Sequence, residues 1–150
     1  MRKFRSLLAV HAVWLVFMLP ASPQTPTKAP PAAATFVMHE YMVFFDQGSS
    51  KLRPETKAVA MQVVKRALAC ANEPKALVTA YSDASKAERS DPKLSEKRAV
   101  ALAKFLADNH VDASSLAVLG RGEEDPLLRF VGPDEAEPLN QRAVIRFSCN

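Results

Sequence analysis

The 150-residue sequence is poor in the residues that build metal, cofactor and catalytic sites. It holds two cysteines, Cys70 and Cys149, and three histidines, His11, His39 and His110. None stands at metal-ligand spacing from another, so no metal site is expected. Glycine is scarce, with four in the chain. Gly120-x-Gly122 lacks the Lys-Ser/Thr of a phosphate loop and reads as a turn that needs positive φ. H-E-x-x-H and a nucleophile elbow are both missing. Ser49-Ser50 sits in an expected turn with no base nearby. Glu123-Glu124-Asp125 would need a cleft and one raised pKa to work as an acid–base pair, and it reads as a solvated turn. A small hydrolase is therefore disfavoured. The chain is expected to be neither an enzyme nor a cofactor carrier.

Charge is also in short supply. The formal net charge is +4, but Arg2, Lys3 and Arg5 contribute three of it and residues 1–21 contain no acid. The remainder holds 17 basic residues against 16 acidic ones. Nucleic-acid binding wants a concentrated basic face, so it is not expected. The basic start, the apolar Leu7–Leu19 and the Leu19-Pro20-Ala21 segment read as an export signal over residues 1–21. The apolar run is short of the roughly 20 residues a membrane span needs. An uncleaved inner-membrane anchor is the alternative, and no nearby cysteine offers a lipid-attachment site. Residues 22–35 hold four prolines and no large apolar side chain, which makes them a semi-rigid linker.

Residues 36–150 read as one domain. Thr35–Phe45 alternates like a strand with two largely apolar faces. Pro54-Glu55 opens a helix whose Ala60, Val63, Val64, Ala67, Leu68 and Ala71 form a core-facing stripe. Ala76–Ala80 reads as a strand, and Ser82–Asp91 as a solvated loop. A helix then starts near Pro92, with Ser90 or Asp91 as N-cap, and carries Leu94, Ala101, Leu102, Phe105 and Leu106. Leu116–Leu119 and Ala143–Phe147 are the last strands. The order predicts a two-layer α+β fold, a β-α-β-α-β-β sandwich with a mixed four-stranded sheet and its helices on one face.

Arg98 is the odd residue. It lies four residues after Leu94 and four before Leu102, so helical spacing puts a guanidinium on or beside the apolar stripe. Spacing alone fits an Arg whose stem covers the core while its head stays in water. It also leaves room for a meeting with Asp83, at the end of the preceding strand, in one pocket.

The run Ser82-Asp83-x(10)-Leu94-Ser95-x-x-Arg98-Ala99 resembles the peptidoglycan-binding motif of OmpA-like domains. Three further pieces fall in order: Phe45-Asp46-x-x-Ser49-x-x-Leu52 with Pro54, Gly120-x-Gly122-Glu123-x-x-Pro126, and Asn140-x-Arg142 before an apolar strand. Together they cover residues 36–148. The resemblance implies a periplasmic, non-enzymatic module that binds peptidoglycan through the diaminopimelate group of the stem peptide. Asp83 matches the family's ammonium-binding residue, Arg98 its carboxylate-gripping residue, and Asn140 and Arg142 the residues that close the pocket. Ser82, Asp91 and Ser95 would shape it. The chain departs from the family pattern at Ala80, Tyr81, Lys86, Asp91 and Gln141, the last in place of an Arg. Expected partners are peptidoglycan and envelope proteins, near the outer membrane or the cell wall, with no transmembrane barrel. The alternative is a divergent domain that assembles envelope proteins without binding peptidoglycan. In OmpA-like folds the last strand runs antiparallel beside the second, which would bring Cys149 to Cys70. A disulfide is expected there, with two free thiols as the alternative.

Overall fold

The first strand of the sheet, β1 (Met38–Phe44), turns one side inward and one outward: Val43 is buried and Met38 exposed. A computed structural model describes residues 38–71, 73–129, 132 and 134–149. The expected signal and linker, residues 1–35, lie outside the described residues. After β1 come α1 (Pro54–Leu68), β2 (Pro74–Ala80), a short α2 (Lys86–Arg89) and α3 (Leu94–Asp108). A 3-10 turn (Ala113–Ser115), β3 (Leu116–Gly120) and β4 (Arg142–Cys149) complete the chain.

The four strands form one mixed sheet in the order β1-β4-β2-β3. β2 and β3 are parallel, and α3 makes the crossover that a parallel pair requires. β4 enters between β1 and β2, antiparallel to both, with Ile145 opposite Tyr41 on one side and Val78 on the other. α1 and α3 pack on one face and bury Val63, Val78, Leu102, Leu106 and Ile145 completely. The fold is the expected two-layer α+β sandwich. The opposite face carries Glu40 paired with Arg146 across neighbouring strands.

Several boundaries differ from the sequence reading. α1 ends at Leu68, and that side chain is 58% exposed rather than part of the core stripe. Its stripe of Ala60, Val63, Val64 and Ala67 ends one residue earlier, and Ala71, also expected in the stripe, is exposed beyond the helix end. α3 begins at Leu94, two residues after Pro92, and its N-cap is Lys93 without a side-chain cap bond. Asp91 instead accepts the Lys93 N–H and pairs with Lys97. The loop expected to be solvated turns inward: Asp83, Ser85 and Glu88 are each at most 2% exposed. Ser85 caps α2 by accepting the Glu88 N–H.

Cys70 and Cys149 form a disulfide, with Cα atoms 5.7 Å apart and a sequence separation of 79. Cys149 sits opposite Pro74 at the start of β2, so the bond joins the C-terminal end of β4 to the end of α1. In the chain-entropy model a loop of this length contributes on the order of 4 kcal/mol.

Candidate functional site

The site lies at one end of the sheet, where β1 ends, β2 ends and β4 begins. Asp83 follows β2 by three residues and is 2% exposed. Its Oδ1 accepts the Ser85 N–H at 2.9 Å. Its Oδ2 accepts the Glu137 N–H and the Gln141 Nε2, both at 2.7 Å. Burial pushes the Asp83 carboxyl up, but these hydrogen bonds to its charged form outweigh it and the net shift is downward. Asp83 is therefore a fixed anion at neutral pH. It lines a cavity of about 170 Å³, together with Ser82, Asn140, Glu123, Glu135 and Glu137. Arg129 is the cation in that lining.

Arg98 does not line the cavity. It is wholly buried, and neither snorkels to water nor faces Asp83 across a pocket. All five of its N–H groups donate within the protein. Nε reaches the Ser49 carbonyl at 2.9 Å, Nη1 the Tyr81 carbonyl at 3.0 Å, and Nη2 the Asp46 carbonyl at 3.0 Å. The remaining two form a bidentate pair with Glu88, at 2.6 Å to each carboxylate oxygen. Glu88 in turn accepts the Gly48 N–H at 2.7 Å. The pair thus ties α3, α2, the turn after β1 and the end of β2 into one knot. Burial forces this arrangement, because a guanidinium taken out of water needs both a counter-charge and a full set of acceptors.

The other expected residues fall around the cavity in different roles. Asn140 accepts the Leu127 and Leu128 N–H groups and returns a bond to the Leu128 carbonyl, so it folds the loop that walls the cavity. Arg142 lies outside the lining, with Nη2 on the Asp125 carbonyl at 2.7 Å and its guanidinium 3.9 Å over the Tyr81 ring. Ser95 accepts the Gly122 N–H, and Gly122 adopts φ +53°, the left-handed turn expected of it. Gly120 has no room for a side chain: a Cβ there would lie 2.5 Å from the Glu96 backbone nitrogen. Asp91 lies three residues before α3 and is not part of the lining. The sequence reading missed Glu88, Gln141 as a ligand of Asp83, and the acidic wall of Glu135 and Glu137. For Glu88 a signal existed: an Arg on an apolar stripe demands a carboxylate within reach.

The family model for OmpA matches residues 44–137, from the end of β1 to the cavity wall. The chain belongs to the OmpA family. A curated relative, outer membrane protein A of Bordetella avium, is 29% identical over 104 residues, which are 69% of this chain and 53% of that protein. The chain thus spans about half of that relative. Among solved structures, the cell wall anchor of the type VI secretion system from Pseudomonas aeruginosa superposes with a TM-score of 0.60 at 21% identity, over 75% of this chain and 82% of that one. The peptidoglycan-associated lipoprotein from Burkholderia pseudomallei gives 0.57 at 23% identity, over 71% and 88%. These likenesses show the OmpA-like fold. Among the described residues, no helix is long and apolar enough to cross a membrane.

Proposed function

We propose that this OmpA-family domain binds peptidoglycan non-covalently in the periplasm, taking the diaminopimelate end of the stem peptide at the Asp83 cavity. One observation carries the reading. Asp83 is a buried carboxylate held in its charged form at a cavity, which is what an ammonium ligand needs. Asn140 lines the same cavity and Arg142 holds the loop beside it, in keeping with the pocket-closing roles the motif implies. Relatives of the same fold are named as a cell wall anchor and a peptidoglycan-associated lipoprotein. Export through residues 1–21 belongs to the same reading.

A second reading is favoured by Arg98. Its donors are all used internally, so the residue expected to grip a ligand carboxylate has none to offer. A module that assembles envelope proteins without holding the wall fits that fact. Co-sedimentation of the protein with purified sacculi decides between them. The parent should pellet with sacculi, and Asp83→Asn should lose at least about tenfold in binding, the size of one charge-assisted contact. A parent that stays in the supernatant leaves the assembly module standing.

A further inference from the structure

Stem peptides differ at the group that would enter this cavity. A diaminopimelate end presents an ammonium beside a carboxylate. An amidated diaminopimelate end presents the same ammonium beside a neutral amide, and a lysine end presents the ammonium alone. A receptor for the first must place a free cation next to its anion. Here the guanidinium fork of Arg98 already holds a carboxylate, that of Glu88, at 2.6 Å to both terminal nitrogens. Both side chains are wholly buried. To seat a ligand carboxylate on Arg98, the chain would have to expel Glu88 from this pair and strip the Gly48 N–H of its acceptor.

The cavity wall points the same way. Among the described residues four carboxylates, Asp83, Glu123, Glu135 and Glu137, line it against the one guanidinium of Arg129. Arg89, outside the lining, is held on Glu123 by two hydrogen bonds of 2.8 and 3.1 Å. Arg129, Glu123 and Glu135 are all exposed, so water screens them more than it screens the buried Asp83, which is the charge an entering ligand meets at full strength. An ammonium entering this field is stabilised, and a second carboxylate is repelled.

We propose that Glu88 is a specificity-determining residue. By holding the Arg98 fork behind the cavity wall, it leaves Asp83 with no buried cation beside it, and the cavity becomes a receptor for a stem-peptide amine whose neighbouring carboxylate is amidated or missing. This rests on reading the Asp83 cavity as a peptidoglycan site.

Calorimetric titration with three synthetic tripeptides tests it. Each is L-alanyl-γ-D-glutamyl followed by meso-diaminopimelate, by its amide at the free end, or by L-lysine. The amide and the lysine peptide should bind at least about tenfold more tightly than the free acid, a difference of roughly 1.4 kcal/mol. Equal or tighter binding of the free acid overturns the specificity and leaves the peptidoglycan reading intact. Binding of none of the three overturns the peptidoglycan reading, and the specificity falls with it. Glu88→Ala, where it folds, should shift the ranking toward the free acid by about tenfold as Arg98 is released. Arg129→Gln supplies the check if that variant does not fold. It should leave the ranking unchanged, and a selective loss of free-acid binding would assign the ligand carboxylate to Arg129 and overturn the role of Glu88.

Discussion

Arg98 and Arg142 are both buried, at 0% and 4% exposure, yet they are accommodated in opposite ways. Arg98 has a counter-charge and five filled donors. Among the described residues Arg142 has one hydrogen bond and the Tyr81 ring, and its Nε and Nη1 find no partner. Burial lowers the Arg142 pKa, with Tyr81 and Asp125 pulling weakly the other way. The difference separates two jobs. Arg98 is a structural hub on which four segments depend. Arg142 is a hook that holds one loop through one carbonyl.

The sharpest way to break this contrast is to remove Glu88. Glu88→Ala leaves a buried guanidinium without its counter-ion and should cost about 3–5 kcal/mol in urea denaturation. Replacing both partners, Arg98→Met with Glu88→Leu, should recover most of that loss, because an apolar pair needs no counter-charge. A single variant as stable as the parent would refute the hub. Arg142→Met keeps a stem over Tyr81 and gives up the bond to the Asp125 carbonyl. It should cost about 1 kcal/mol and speed amide exchange in residues 121–129. A loss as large as that of Glu88→Ala would erase the distinction between the two arginines.

The smallest effect concerns Asp83, the buried anion at the cavity. Its folded pKa lies below the ordinary 3.8. The ionised form is therefore favoured by folding, and its contribution is present above that ordinary value and fades as pH falls through the lower folded one. The stability gap between the parent and Asp83→Asn should be flat above about pH 5 and close progressively below about pH 3.8. A gap that grows on acidification would contradict the hydrogen-bond network drawn around Asp83.

The layers of the fold were legible because they rest on periodicity. The stripe from Ala60 to Ala67 and the strands around Val78 and Ile145 repeat apolar residues at helix and strand spacing. The Cys70–Cys149 bond followed once the resemblance supplied the strand order. The site was less legible. Ser82–Asp91 contains no large apolar residue, and polarity normally marks solvent. That rule fails where charges neutralise one another inside, as Glu88 and Arg98 do. Both residues were visible in the sequence, ten positions apart, but pairing is a property of three-dimensional packing. Gln141 departs from the motif, yet it donates a hydrogen bond to Asp83 that only the folded packing makes visible.

The β1–β4 register has a mechanical meaning. Met38 lies opposite Ser148 and Phe44 opposite Arg142, so the point where the preceding 37 residues join the domain and the cavity at Asp83 occupy opposite ends of the sheet. A pull between that junction and a ligand held at Asp83 runs along the strands. It loads the seven paired positions of the ladder together, as shear, instead of opening them one after another. The disulfide secures the end of β4 nearest the junction, where such a load enters. A tether built this way yields by breaking many bonds at once, and its lifetime under tension is set by the unfolding rate.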